Sequence, residues 1–440
     1  MSARKAVSVV GVGDDGCASL TSRAAGAVAL ADVLVGAERH LAFFPQFVGE
    51  RVAFPAGKGG IDRAIERVRA LANERTVCVL ASGDPLFFGV GARVAEAVGG
   101  EHVDFIPAPT SVQWAFARTA IAWDDAEVIS VHGRPVNGFV ARLRGVAKVA
   151  VLTDGENAPA RLAARMIEYG ETRWTAWVCE RLGGPGERVR RFPLDQLASV
   201  HDIDALNVLL LRRGLPTANP GDGLDEAWRA PPALPYLPEE AFAKRMPKRG
   251  LITKREVRTL ALATLRVRPD AVFWDVGAGS GSVSIEAAML APRGKVFAIE
   301  VDPEGIAICR ENARAHGADN VRVVEGRAPE ALTGLDAPDA VFVGGSKGSM
   351  TPIVDAALDA LRPGGRLAVA AITLENVAEA YAALRARGVE PEVTLIQIAR
   401  GAPLARYQRY EAENPIHLFA ADKPASGTQA PSALLGETAP

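Results

Sequence analysis

Three glycines and two carboxylates in the second half of the chain have the spacing of a nucleoside site. In FWDVGAGSGSVSIEAAML (Phe273 to Leu290) an apolar strand ends at Asp275, and Gly277, Gly279 and Gly281 then make a tight turn ahead of an amphipathic helix. Glycine lets the backbone bend sharply and lets a ligand lie against it with no Cβ in the way. The first turn of the helix adds N–H groups that have no partner of their own. Nineteen residues beyond Gly281, Glu300 closes the strand KVFAIE, where an acid accepts hydrogen bonds from both hydroxyls of a ribose. A dinucleotide and S-adenosylmethionine both satisfy that description. The dinucleotide pattern G-x-G-x-x-G needs glycine at 282, which is Ser282; here the order is G-x-G-x-G with Asp275 before it. A carboxylate at the turn suits the positive amino end of S-adenosylmethionine and repels a pyrophosphate, so the spacing favours the methyl donor over NAD. Arg327 and Ala328, in VVEGRAPEAL after the third strand, stand where such folds meet the adenine; Glu325 and Glu330 read equally well as solvated.

The first half carries a different set of turns. VSVVGVGDDG (Val7 to Gly16) is a strand followed by a glycine turn containing Gly11 and Gly13, and LASGDPLFFGVG (Leu80 to Gly91) runs from a buried strand into Gly83, Asp84 and Pro85. PAPTSVQWAFA (Pro107 to Ala117, with Thr110 and Ser111), SVHGR (Ser130 to Arg134) and VLTDGENAP (Val151 to Pro159, with Asp154) follow further apolar runs. Each lies at the carboxyl end of an expected strand, where ligand crevices of parallel sheets open, so these loops are expected to converge. Taken singly, Gly83-Asp84-Pro85 reads as well as a tight connection packed by Phe87 and Phe88.

Strands must hold these turns, and the periodicity supplies them. Val7–Val10, Val33–Val35, Thr76–Leu80, Val128–Val131, Val149–Leu152, Trp174–Val178 and Asn207–Leu211 read as strands separated by helices, predicting a mostly parallel α/β sheet over about 210 residues. From Arg212 to Pro238 prolines and glycines crowd together, which forbids long elements and reads as a linker. A second α/β series follows, with strands expected at Val272–Asp275, Lys295–Glu300, Val321–Glu325, Ala340–Val343, Arg366–Ala370 and Glu392–Gln397. The expected division is 1–212, a linker 213–238, 239–423 and a small-residue tail 424–440. Lys plus Arg total 50 against 52 Asp plus Glu, a net charge of −2 that excludes a globally basic nucleic-acid binder. Four scattered cysteines and six histidines show no metal-ligand spacing, so no metal site is expected. The absence of a long apolar run or leader points to a cytoplasmic protein.

GVGDDG, ASGDPLFFG, APTSVQWAFA, the VHGR segment and VLTDGENAP resemble the tetrapyrrole methylase family, in particular its branch acting on precorrins. GLITKREVRTLALATLRVRP, FWDVGAGSGSVSIEAA and DAVFVGG resemble the class I methyltransferases that methylate and decarboxylate the same intermediate. A chain with both in this order resembles the decarboxylating precorrin-6Y C5,15-methyltransferase family. The resemblance implies an N-terminal two-lobed tetrapyrrole methylase (class III) fold for carbon 5 methylation, and a C-terminal Rossmann-like class I fold for carbon 15 methylation and loss of the ring C acetate carboxyl. It further implies two S-adenosylmethionine sites, conversion of precorrin-6B to precorrin-8X in cobalamin biosynthesis, and by analogy a homo-oligomer. The donor contacts it implies are Gly11, Gly13, Gly83, Asp84, Pro85, Thr110, Ser111 and Asp154 in the first half, and Asp275, Gly277, Gly279, Gly281, Glu300, Arg327 and Ala328 in the second. One position departs from the family: its first loop usually reads G-x-G-P, and here Asp14 replaces the proline.

The chemistry so implied needs alignment and a dry site more than a nucleophilic side chain, because the attacking atom is a ring carbon. No serine or cysteine triad is called for, and no general base is identified. The polycarboxylate substrate calls for basic partners. AKRMPKRGLITKREVR supplies Lys244, Arg245, Lys248, Arg249, Lys254, Arg255 and Arg258 with one acid, Glu256, either an anion-binding lip or a solvated charged face. Gly345 and Lys347 in GGSKG, and Arg134 in the first half, are the further substrate candidates. The alternative of an RNA methyltransferase would call for a broad basic surface and stacking aromatics, against 6% aromatic residues here.

Overall fold

A computed structural model of the chain describes residues 6–57, 59–214, 231–244 and 252–423. Two compact units emerge: 1–135, 147–164 and 173–228 form the first, and 136–146, 165–172 and 229–440 the second.

The first unit contains two five-stranded sheets. β1 (Val7–Val12), β2 (Val33–Gly36), β3 (Glu50–Ala53), β4 (Val77–Ser82) and β5 (Val103–Ile106) are all parallel, in the order β3-β2-β4-β1-β5. Its central strands are buried on both faces, which is why they read as unbroken apolar runs. Val7 and Val9 of β1 join Val77 and Val79 of β4 on one face, while Val10 and Val12 join Cys78 and Leu80 on the other. The second sheet, β6 (Glu127–Ser130), β7 (Lys148–Leu152), β8 (Trp174–Glu180), β9 (Arg188–Pro193) and β10 (Asn207–Arg213), has the order β6-β7-β10-β8-β9.

Only β6 and β7 of this sheet are parallel; the other three pairings are antiparallel. One mostly parallel sheet is therefore replaced by two sheets, the second mainly antiparallel. The loop 181–187 between β8 and β9 is too short for the crossover that parallel pairing requires. β3 and β9 escape the periodicity because they are edge strands written in charged residues, ERVA and RVRRFP.

The second unit holds β11 (Val272–Val276), β12 (Lys295–Glu300), β13 (Val321–Glu325), β14 (Ala340–Val343), β15 (Arg366–Ala371), β16 (Glu392–Ile396), the hairpin β17 (Ala399–Leu404) and β18 (Tyr407–Ala412), and β19 (Ile416–Asp422). The large sheet runs β13-β12-β11-β14-β15-β19-β16, parallel through β15, with β19 inserted antiparallel between β15 and β16. Strand order reverses between β11 and β14, which opens a crevice at their carboxyl ends.

Alternation along β11 sends Trp274 and Val276 to one face and Phe273 to the other. Asp275 is thereby turned toward the helix Ser282–Leu290. That helix is not amphipathic as its sequence suggested: Ser282 through Ala288 are all buried. Its one acid, Glu286, is neutralised inside by Arg258, whose guanidinium lies 3.0 Å away and also donates to the carbonyls of Leu237 and Thr253. Arg258 is fully buried and thus holds helices together, leaving the basic stretch with one cation fewer for an anion.

Candidate active sites

Each unit has a cleft where its strand-end loops meet. In the first unit the cavity measures about 730 Å³ and is walled by both sheets. Gly13, Asp14, Ser82, Gly83, Thr110 and Ser111 come from the parallel sheet; Ser130, His132, Arg134, Thr153 and Asn207 come from the other.

The sequence-read residues divide here. Gly13, Gly83, Thr110, Ser111 and Arg134 line the cavity. Gly11 lies beneath it, and a Cβ there would meet the Gly83 carbonyl oxygen at 1.9 Å and Ala108 N at 2.5 Å; the glycine lets two strand-end loops touch. Pro85 is buried, and its carbonyl accepts from Gly91 N at 2.9 Å. Asp84 turns into its own loop, Oδ1 accepting from Leu86 N at 2.8 Å. Thr110 closes a reciprocal cap with Gln113: the hydroxyl accepts from Gln113 N, and Gln113 Oε1 accepts from Thr110 N. Asp154 ties two loops, accepting from Gly133 N at 2.6 Å, Asn157 N at 2.6 Å and Glu156 N at 2.9 Å. Desolvation pushes its carboxyl up, but those three donors outweigh it and hold it below the ordinary range. Arg134 lies over the Phe88 ring, 5.7 Å from its centroid.

The second cleft, about 310 Å³, sits at the carboxyl ends of β11, β12 and β14. Gly277, Gly279, Glu300, Arg327, Ala328, Gly345 and Lys347 line it. Gly277 has φ +76°, and a Cβ would meet Gly345 N, O and Cα between 2.6 and 2.9 Å. Gly279 by contrast faces open space. Its N–H donates to Glu300 Oε2 at 2.8 Å, while Glu300 Oε1 accepts from Val301 N and Asp302 N, both at 2.8 Å. Three backbone donors thus aim the carboxylate. Arg327 donates to the Lys347 carbonyl at 2.8 Å, bracing a non-glycine residue at φ +45°.

Two residues of the expected donor set lie outside this lining. Asp275 is buried under the turn, bonded to Ser284 Oγ at 2.5 Å. Burial pushes it up to about 7, against the pull of Ser284 and with help from the charge of Glu300. Gly281 is required by packing, since a Cβ would stand 2.4 Å from Cys309 Sγ. Of the basic stretch, Lys244 reaches the cleft; Lys254 pairs with Glu413 at 3.0 Å and Arg255 with Glu256 at 3.3 Å. Lys248 and Arg249 lie outside the described residues.

Sequence reading missed several cleft residues. Ser346 is buried, lines the second cleft, and its hydroxyl finds no hydrogen-bond partner among the described residues; its place in GGSKG was the available signal. Arg39, His40 and Ser82 belong to the first cleft; Ser82 stands in the LASGDPLFFGVG segment, while no motif marks Arg39 and His40.

An open Gly279, an aimed Glu300 and an unpartnered buried hydroxyl fit a nucleoside bearing polar substituents. Residues 6–198 match the family described as Tetrapyrrole (Corrin/Porphyrin) Methylases, and residues 244–423 the Precorrin methyltransferase domain. Over 418 residues, 93% of this chain and 94% of the relative, it is 35% identical to a Sinorhizobium sp protein named precorrin-6Y C(5,15)-methyltransferase [decarboxylating]. The chain belongs to the decarboxylating precorrin-6Y C5,15-methyltransferase family. Two shorter relatives are similar to parts of this family member. A Pyrobaculum calidifontis protein, 40% identical over 43% of this chain and 97% of its own, is named a probable cobalt-precorrin-6B C(15)-methyltransferase (decarboxylating). A Salmonella typhimurium protein, 34% identical over 46% of this chain and 98% of its own, is named a cobalt-precorrin-7 C(5)-methyltransferase. Membership places this methyltransferase in cobalamin biosynthesis, and the RNA-modifying alternative finds no support among these relatives. No described helix is long and apolar enough to cross a membrane.

Proposed function

We propose that the chain binds two molecules of S-adenosylmethionine, one per cleft, methylating its tetrapyrrole at carbon 5 in the first unit and at carbon 15 in the second, where the ring C acetate also loses carbon dioxide. Precorrin-6B would enter and precorrin-8X leave. The observation that carries this is the pairing of two separate strand-end clefts with two half-length relatives, each named for one of the two methylations. The working division is 1–212 for carbon 5 and 239–423 for carbon 15 and decarboxylation; most of the expected linker 213–238 and all of the expected tail 424–440 lie outside the described residues.

When bound, the donor supplies an electrophilic methyl group. The chain's own part is placement. In the second cleft Glu300 holds the ribose hydroxyls, Gly277 and Gly279 leave room along the turn, and Arg327 and Ala328 flank the base. Asp275 supports the turn from below, and Gly281 seats the helix behind it. In the first cleft Gly13, Gly83, Thr110 and Ser111 form the wall for the donor, with Gly11, Asp84, Pro85 and Asp154 shaping the loops that carry them. Arg134 in the first unit, and Lys244 and Lys347 in the second, meet carboxylates of the polyacid substrate. Gly345 keeps the wall beside Lys347 flat. Excluding water from the acetate favours decarboxylation, because a carboxylate leaving solvent loses its hydration while the conjugated ring accepts its electrons.

A cytoplasmic homo-oligomer acting on a small molecule, without nucleic acid, is the accompanying reading. The near-even charge balance supports the part without nucleic acid, and the hairpin β17–β18, whose second strand is exposed along its whole length, supports association between chains. Calorimetric titration with S-adenosylhomocysteine should give two sites per chain. Mass and carbon-13 analysis after incubating precorrin-6B with methyl-labelled donor should show two new ring methyls and one lost carboxyl. A single site, or a single methyl, would overturn the assignment.

A further inference from the structure

Asp14 takes part in a polar cluster that the proposed reaction leaves unused. The Arg39 guanidinium lines the first cleft, its side chain 44% exposed. Its Nη2 donates to Ser82 Oγ at 2.7 Å, and its Nη1 lies 3.9 Å from Asp14 Oδ1. Asp14 Oδ2 lies 3.4 Å from Nη2 of Arg181, which also pairs with Asp204 at 3.5 Å. Ser82 Oγ is in turn 3.2 Å from His40 Nε2. These groups come from the loop after β1, the helix Glu38–Leu41, the end of β4 and the loop after β8, so the fold brings together what the sequence scatters.

The charges decide what the cluster is for. Asp14 is the one carboxylate among the described residues lining this cleft, against Arg39, Arg93 and Arg134. Arg93 is spent on Asp62 outside the lining. His40 is buried, and desolvation together with the Arg39 charge drives it down to about 4, so it stays neutral near pH 7. Arg39 and Arg181 repel each other, and Asp14 between them offsets that repulsion. The carboxylate is too distant from Arg39 for a close hydrogen bond. Arg39 is therefore steered by Asp14 and Ser82 while donors of its fork remain available, the arrangement that recognises a carboxylate.

We infer that Arg39 is the anchor of a carboxylate-binding subsite in the first cleft, held in position by Asp14 and Ser82, and that it meets one carboxylate of the tetrapyrrole while Arg134, on the wall built by the other sheet, meets another. Two cations on two walls would set the orientation of a flat polyacid, and so which ring carbon faces the methyl donor. The inference rests on the reading of this cleft as the carbon 5 site.

The test uses the full chain, with the tetrapyrrole already methylated at carbon 15 as substrate and methyl incorporation as readout. Arg39→Gln should raise KM for the tetrapyrrole by about tenfold, the loss expected for one charged hydrogen-bonding partner, with kcat and donor affinity held within about twofold. Arg39→Lys should recover part of the loss. Asp14→Asn should raise the same KM by a smaller factor; KM should rise with salt in the wild type and rise less in Arg39→Gln. A wild-type KM retained in folded Arg39→Gln, or a fall in donor affinity as large as the change in KM, would overturn the inference while leaving the carbon 5 assignment standing. Failure of the wild-type chain to methylate this substrate would instead remove the assignment and the inference together.

Discussion

In the second cleft a carboxylate faces the cavity while the surrounding backbone aims three N–H groups at it: Glu300 is held by Gly279, Val301 and Asp302. In the first cleft the acids read from the sequence, Asp84 and Asp154, spend their oxygens on loop turns, and the acid on the wall is Asp14, set between two arginines. The second cavity is built by one sheet at a reversal of strand order; the first, more than twice as large, is walled by two sheets. One cleft is thus centred on a turn and an acid that lie within one βαβ stretch, the other on the meeting of distant loops. A local motif carries its chemistry on its face. A cavity assembled from many loops uses some of its recognisable residues to hold those loops, and adds lining side chains such as Arg39 and His40 that no motif marks.

Backbone intrusions should give the largest separation of the two sites. Gly277→Val places a side chain against Gly345 at φ +76°, and should cut carbon 15 methylation and decarboxylation by ~100-fold or more while carbon 5 methylation of a supplied substrate persists. Gly11→Val, driven into the Gly83 carbonyl, should do the reverse by a similar factor. Methyl counting by mass spectrometry, with circular dichroism to verify folding, checks both. If either variant removes both methylations from a folded protein, the clefts are not independent.

Next in size is the pH dependence of stability carried by Asp275. Its folded-state value is raised to about 7 from 3.8, so the unfolded chain ionises first. The stability it contributes is complete below about pH 4 and is lost as pH rises toward 7. Asp275→Asn should abolish that slope, worth up to about 4 kcal/mol at 1.36 kcal/mol per unit. Urea unfolding at pH 4 and pH 8, wild type against variant, measures it, and parallel curves would show that Asp275 ionises freely within the fold.

Glu300→Ala should weaken donor binding at the second site by about 1–3 kcal/mol. Calorimetry in the Gly11→Val background isolates that site. An unchanged Kd would mean that the three N–H groups fix the loop alone and that the ribose is held elsewhere.

How much of this was legible follows from the same contrast. The strand-turn-helix around Gly277, with Glu300 beyond it, could be read because every part lies within one βαβ stretch and its spacing is dictated by the turn itself. Asp275 suits a sulfonium amine by type and place, and strand alternation turns its side chain toward Ser284, outside the cleft lining. The helix Ser282–Leu290 was expected to show one polar face, yet its polar residues are buried, Glu286 pairing through Oε1 with Arg258 across 28 positions of sequence. Arg39 and His40 carried no signal, since their partners Ser82 and Asp14 are brought to them only by sheet order.

By itself the sequence determined the two families, the glycine turn proposed to receive a nucleoside, and the strands buried on both faces, because each depends on residues close together in the chain and on backbone sterics that neighbours cannot change. Tertiary structure decided that the second sheet is mainly antiparallel, which glycines face a cleft and which face another loop, and where each charge finds its counter-charge. Those outcomes depend on which distant segments share a surface, and Coulomb and packing energies are set by distance in space, whatever the separation along the chain.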